Sequence, residues 1–360
     1  MIHPAAMTPR VHPAGLPGTD GAVARARWAG KRVLVTRLRF MGDAILSLPL
    51  LAALRQALPA TELHYLAEPA TLEMLGAQPE IAVHWTAPRG SLPMLGLARR
   101  LRGQHFAAVI DLFCNPRSAL LVRATRAPVR IGEDRRVRRH AYTLARHLVP
   151  GRSALEQHLD AMRGLGLEPP APAKPVLGLR DAERAAGAAR WRGLGVERGV
   201  VLHLGATQPQ KEWPLEHAVS LVRALASAGL PVVLTTAPRR PEPSRAVGAA
   251  VGGAAHLLPA LPLREVLGVM ATAAAVVSVD GALVHAAVGL GTPTVALFGP
   301  TDPRIWFPYA DFGPYRVVRG RVDSGAGHAS MENLAPASVL AALQSVLAGA
   351  GGSSPRGTYA

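Results

Sequence analysis

The chain has a single cysteine, Cys114, among 360 residues. That excludes an intrachain disulfide and any thiolate-based zinc site. Aromatic residues make up only 4%, and no nucleic-acid-binding motif is present, so a nucleic-acid partner is not expected. No run of about 18 uncharged apolar residues occurs, so no transmembrane helix is expected. Residues 1–30 lack the apolar segment of a signal peptide and are interrupted by Pro4, Pro9, Pro13 and Pro17. They read as a flexible extension. These absences point to a cytoplasmic protein. Neither a Gly-x-Gly-x-x-Gly dinucleotide fingerprint nor a Walker lysine loop appears where expected. No His/Asp/Glu cluster has metal-ligand spacing, so neither a metal nor a cofactor is expected. Lysine is scarce too: Lys31, Lys174 and Lys211 are the only three.

What is present is an arginine-rich globular composition, 49% hydrophobic, with a formal net charge of +16. The length suits two domains of ordinary size. The charge favours an anionic partner: nucleic acid, an acidic membrane face or a phosphorylated substrate. A compositional bias toward Ala, Arg, Gly and Pro accounts for it equally well.

Strands and helices alternate along the chain. Lys31–Arg37, Glu62–Leu66, Ile81–Trp85, Phe106–Leu112 and Val129–Ile131 read as strands of a first domain, residues 31–167. The helices between them are Ala44–Leu58, with Pro49 kinking it or marking a late start, Thr71–Leu75, Leu92–Arg102 and Arg117–Arg126. The proline-rich segment 168–175 reads as a linker. The alternation resumes in a second domain, residues 176–348. Its strands are Gly199–Leu204, Pro231–Thr235, Val276–Val279 and Thr294–Phe298, and it closes on a helix at Ala337–Leu347. Residues 349–360 form a polar tail expected to fray. The pattern predicts two doubly wound α/β domains with parallel sheets, facing across a cleft.

Three loops at carboxyl ends of strands can converge there: Phe40–Asp43, Gly205–Lys211 and Asp280–His285. Asp43 precedes an apolar helix. It is either a helix N-cap or a general base in the cleft, with Gly42 allowing a ligand close. Lys211 is either a solvated helix-start lysine or a point charge for a phosphate. The turn after Val276–Val279 places free N–H groups at a helix start, which suits a phosphate. His285 is either a partly buried residue with a local partner or a donor to that phosphate. The arginines from 117 to 139, among them Arg117, Arg123, Arg130, Arg135 and Arg136, form a solvated face or a patch for an anionic acceptor or bilayer.

Four blocks in order carry a resemblance: Val33–Pro49; Asp111–Ser118 with Arg130-Ile-Gly132; Leu202–Pro214; and Val276–Pro303. Together they resemble the heptosyltransferase family of glycosyltransferases, which build the inner core of lipopolysaccharide. The resemblance spans roughly residues 31–345 and implies the GT-B architecture. It implies an inverting, metal-independent transfer, usually from ADP-heptose, to an anionic glycolipid at the cytoplasmic face of the inner membrane. By it, Asp43 is the catalytic base. Lys211, Thr207, Leu261 and Asp280–His285, including Gly281 and Ala282, form the donor site. The sequence departs from the family pattern twice. Gly281-Ala282 stands where Ser/Thr-Gly is usual. Arg239, with Glu242 three residues on, stands where an acidic residue near the donor ribose is often found. Two alternatives follow: another sugar nucleotide or acceptor on the same fold, or a nucleotide-binding protein without catalysis.

Overall fold

The computed structural model describes residues 21–76, 78–134, 138–238, 240–321 and 329–351. Two six-stranded sheets organise it, and every pairing between their strands is parallel. The first contains β1 (Arg32–Thr36), β2 (Glu62–Ala67), β3 (Val83–Thr86), β4 (Ala108–Asp111), β5 (Val129–Glu133) and β6 (Leu144–Arg146). Its order is β3-β2-β1-β4-β5-β6. The second contains β7 (Val200–His203), β8 (Val232–Thr235), β9 (His256–Leu257), β10 (Ala275–Val279), β11 (Thr294–Phe298) and β12 (Tyr315–Arg319), in the order β12-β11-β10-β7-β8-β9. Counted from each domain's own first strand, the two orders are identical. Each has its switch point between the first and fourth strands, β1/β4 and β7/β10, where open α/β sheets bind ligands. The central strands are apolar runs because helices cover both faces.

Helices α1 (Gly21–Trp28), α2 (Met41–Ile45), α3 (Leu48–Ala57), α4 (Pro69–Leu75), α5 (Ser91–Arg102), α6 (Pro116–Thr125) and α7 (Ala154–Leu159) belong to the first domain. Right-handed crossovers put α2, α3 and α4 on one face of the sheet and α5 and α6 on the other. The side chains divide accordingly. Leu34, Leu66, Val109, Leu97 and Leu121 form the outer cluster. Val33, Val35, Ile45 and Leu51 join an inner core that continues into the second domain through Leu177, Val284 and Ala287. The second domain adds α8 (Asp181–Gly193), α9 (Leu215–Ser227), α10 (Glu242–Val251), α11 (Leu263–Ala271), α12 (Ala282–Leu290), α13 (Pro303–Trp306) and α14 (Pro336–Gly351).

Three readings of the sequence are corrected. The extension expected over 1–30 is helical at Gly21–Trp28. Trp28 is buried and its Nε1 donates to Leu165 O at 2.9 Å. The long helix expected at Ala44–Leu58 is two helices, α2 and α3, because Pro49 occupies the first turn of α3 and cannot continue a helix from behind. Ser47, between them, bonds Ala44 O at 2.6 Å and the Tyr65 hydroxyl at 2.9 Å. Strands β6, β9 and β12 were not expected. They are short or at the sheet margins, and none is an unbroken apolar run. Residues 168–180 carry no regular structure and connect the two sheets.

Helix α12 holds the two halves together. It is apolar all round, and Val284–Leu290 are all buried. A helix with no polar face has to be enclosed. The second sheet covers one side and α2 of the first domain the other. Gly289 permits the approach of the connecting segment: a Cβ there would lie 2.9 Å from Leu177 Cβ, and Leu177 N donates to Gly289 O at 2.9 Å.

Candidate active site

The chain leaves β1 through Arg37–Phe40 and enters α2. Phe40, not Asp43, is the residue that caps this helix, and no side chain bonds its first N–H groups. Asp43 lies in the first turn, and its carboxylate pairs with Arg37 Nη2. The N-cap alternative for Asp43 therefore falls. Arg37 Nη1 donates to Leu112 O, and the guanidinium lies 5.1 Å over the Phe113 ring. One arginine thus ties the Asp43 loop to the loop after β4. Both side chains are mostly buried, at 13% and 14% exposed, so water screens the pair poorly.

Gly42 meets the second domain. A Cβ built on it would come within 2.9 Å of His285 Cδ2 and 3.4 Å of Ala282 Cα. The close approach expected of a ligand at Gly42 is made by α12. This places Asp43 beside the amino end of α12.

On the other side, β10 is followed by Asp280, which is 7% exposed. Its carboxylate takes Lys211 Nζ at 2.6 Å and the Thr301 hydroxyl at 2.5 Å. Lys211 follows β7 and reaches across the switch point to do this. Gly281 then opens α12 without a side-chain cap, so the first-turn N–H groups remain available to an anion. The backbone at Gly281 is extended, with φ −176°, and a Cβ there would meet nothing closer than Val279 O at 3.8 Å. Neither the backbone nor the space at this position requires glycine in place of Ser or Thr.

His285 is buried, one turn into α12. Its Nδ1 lies 3.3 Å from the Tyr309 hydroxyl, with the rings edge to face. Burial lowers the His285 pKa, against the attraction of Asp280 and Asp43, so the ring is neutral near pH 7. Burial, with Asp43 nearby, holds the Tyr309 phenol well above its ordinary value. Tyr309 therefore keeps its proton. Among the described residues, His285 Nδ1 is the hydrogen-bond partner its hydroxyl has. Donation to Nδ1 assigns the hydrogen on His285 to Nε2, the nitrogen that lies 3.5 Å from a Cβ built on Gly42.

The remaining expected residues divide. Thr207 is exposed on the loop after β7. Beneath that loop, His203 is buried and bonds the Thr235 hydroxyl at 2.9 Å, and burial lowers its pKa to about 4. Leu261 is half-buried and packs against the inner core. Glu242 is exposed at the start of α10. Arg239 lies outside the described residues, as do Arg135 and Arg136. The described arginines of the expected patch differ in their partners. Arg117 bonds Glu68 at 2.6 Å and Pro88 O at 2.8 Å. Arg130 is spent on Ala141 O and Ala127 O, while Arg123 is exposed. A cavity of about 600 Å³ opens beside Glu212, Trp213, Glu216, Pro243, Val247 and Glu332.

Three participants escaped the sequence reading: Arg37, Thr301 and Tyr309. The first two lie inside the blocks Val33–Pro49 and Val276–Pro303, but their partners are set by the fold.

Comparison with known proteins agrees with this architecture. The profile of glycosyltransferase family 9 (heptosyltransferase) matches residues 94–314. The chain is 26% identical to lipopolysaccharide heptosyltransferase 3 of Escherichia coli, over 86% of this chain and 97% of that protein. It is 29% identical to lipopolysaccharide heptosyltransferase 1 of Escherichia coli K12, over 76% of this chain and 89% of that protein. Among solved structures, the glycosyl transferase family 9 protein of Veillonella parvula superposes with TM-score 0.80 at 20% identity, covering 89% of this chain and 98% of that one. ADP-heptose lipopolysaccharide heptosyltransferase II of Escherichia coli does so with TM-score 0.75 at 24% identity, covering 88% and 98%. The fold is the two-domain GT-B arrangement expected from the sequence, and the chain is a glycosyltransferase that belongs to family 9, the heptosyltransferase family.

Proposed function

We propose that this enzyme transfers a heptose from ADP-heptose to an anionic lipopolysaccharide inner-core acceptor, inverting the anomeric centre and using no metal. The observation that carries this reading is the approach of Gly42, the neighbour of Asp43 in the first domain, to the amino end of α12, just before which Asp280 pairs with Lys211. The acceptor hydroxyl loses its proton to Asp43 as its oxygen attacks the anomeric carbon. The carbon–oxygen bond to the diphosphate breaks in the same step, and ADP leaves with the bonding pair. Lys211 and the free N–H groups of α12 stabilise the charge that develops there. The Nε2–H of His285 offers one more donor. Arg37 holds the Asp43 carboxylate in place by pairing with it and by anchoring on Leu112 O.

The acceptor belongs at the carboxyl edge of the first sheet, at the cytoplasmic face of the inner membrane, with the enzyme peripheral there. Among the described residues no helix is long and apolar enough to cross a membrane. Asp43→Asn tests the base. Turnover is expected to fall roughly 10²–10⁴-fold, with ADP-heptose affinity by calorimetry unchanged. Normal turnover in that variant would sink the assignment.

A further inference from the structure

Helix α5 has two unlike faces. Leu97 and Leu101 are buried against the outer side of the first sheet. Leu92, Leu95, Arg99 and Arg102 follow one another at spacings of three and four, which makes a single stripe on the opposite side. All four are exposed, Leu92 by 82% and Leu95 by 50%. Helix α6 packs against α5 and repeats the pattern, with Leu120 65% exposed and Arg123 exposed three residues on.

The placement of these leucines matters more than their number. Single exposed apolar residues are ordinary. Here they sit in the first two turns of two adjoining helices. Each of those helices follows a strand at the carboxyl edge of the first sheet, the edge that also carries Asp43. Phe40 stands at the same edge, 59% exposed, with the Arg39 guanidinium 5.5 Å over its ring. The second domain packs on the other side, against α2 and α4. Arg117 fastens the platform: it bonds Glu68 and Pro88 O and lies 3.9 Å from Met94 Sδ, so it joins α6 to the start of α5.

We propose that the first two turns of α5 and α6, with Phe40, are the surface by which the enzyme seats on an anionic phospholipid bilayer. The leucines enter the headgroup region, and Arg99, Arg102 and Arg123 meet lipid phosphates. Apolar insertion with basic flanks is the pairing that holds proteins reversibly at such interfaces. Charge complementarity selects this occupant over a second copy of the chain. A two-fold interface would set the same patch against itself and bring arginines against arginines, whereas a bilayer of acidic lipid neutralises them. The inference rests on the lipid-acceptor reading for its purpose. Its test needs neither donor nor acceptor.

The test is co-sedimentation of the full chain with vesicles of phosphatidylcholine containing phosphatidylglycerol, and with phosphatidylcholine alone. The chain is expected to bind the acidic vesicles and to lose that binding as salt rises. Leu92→Ser with Leu95→Ser should weaken partition by about tenfold or more. Their side chains are exposed, so the melting temperature and ADP-heptose affinity should stay at the parent values. Arg99→Gln with Arg102→Gln should weaken partition several-fold and flatten its salt dependence. Leucine variants that bind like the parent would overturn the proposal, as would equal binding to both vesicle types. So would a dimer that the leucine substitutions dissociate while vesicle binding is absent. Vesicle binding by a chain that cannot use ADP-heptose would support the docking surface and count against the proposed donor.

Discussion

At the switch point of each sheet a cation from the first strand's loop reaches the loop of the fourth strand. In the first domain it is Arg37, bonded to Leu112 O beyond β4. In the second it is Lys211, bonded to Asp280 beyond β10. The aspartate that ends β4 and the one that follows β10 have opposite fates. Asp111 is fully buried and turned inward, where it accepts from Phe113 N, Cys114 N and the Tyr142 hydroxyl at 2.8–3.0 Å. Burial raises its pKa against those hydrogen bonds. Gly132 makes room for this, since a Cβ there would lie 2.4 Å from the Tyr142 ring. Cys114, in the same knot, has its thiol pushed up to about 12, chiefly by burial. Asp280 instead lies at the cleft with a lysine and a hydroxyl on it. Asp111 is sealed in its own polar network, whereas Asp43, at the same edge, pairs with Arg37 beside α12. The other edge has a lysine paired with Asp280 beside an uncapped helix, which suits an anionic ligand.

The difference predicts unequal consequences for the two cations. On the proposed mechanism Lys211→Ala removes a charge from the leaving group, so kcat should fall by roughly 10²–10³ and the affinity for ADP should fall with it. Arg37→Ala should lower kcat by a smaller factor and leave ADP affinity at the parent value, because Arg37 acts through Asp43. Steady-state kinetics with ADP titrations on both variants decides this. If Arg37→Ala lost ADP affinity as well, the division of labour between the two edges would be wrong.

Tyr309→Phe probes the junction between them. The substitution keeps the ring and its packing on Phe307 and removes the donor to His285 Nδ1. His285 is then free to place its hydrogen on either nitrogen. A fall of about tenfold in kcat with little change in KM is expected, the size of one neutral hydrogen bond. The nitrogen chemical shifts of His285 should show the Nε2–H form in the parent and a mixture in the variant. A parent with Nδ1–H would refute the tautomer whatever the rate.

Much of this was legible in the sequence, and what was legible had local causes. The unit β10–α12–β11 stands out because a β-branched run, the break at Asp280-Gly281 and the glycines at 289 and 291 occur in order. Asp43, Lys211 and Asp280 stood out for the same reason: each sits at a strand-to-helix junction. Tyr309 was not found, since its role depends on a ring reached across 24 residues. Arg117 and Arg130 looked like members of a surface patch because charge is visible in a sequence and hydrogen-bond partners are not. Gly42 was read as letting a ligand approach, and what approaches it is His285 and Ala282 of the second domain. β9 and β12 lie where neighbours in the sheet supply what a two-residue or half-exposed segment lacks.

The smallest effect is the most informative about the donor. Gly281 is where the chain departs from the Ser/Thr of the family pattern it otherwise resembles. Its backbone needs no glycine, since φ is extended and the space around a new Cβ is open. Gly281→Ser should therefore fold as well as the parent. It should gain on the entropy of the unfolded chain, and it sets a hydroxyl at the mouth of α12. If the diphosphate binds there, one added hydrogen bond should tighten ADP by roughly two- to tenfold. The effect should vanish in Lys211→Ala, where the phosphate is no longer drawn to that corner. An unchanged affinity in Gly281→Ser, with Lys211→Ala still impaired, would put the diphosphate on the lysine side of the loop, away from the helix. The uncapped N–H groups of α12 would then serve the approach of Asp43 and Gly42 and take no part in holding the donor.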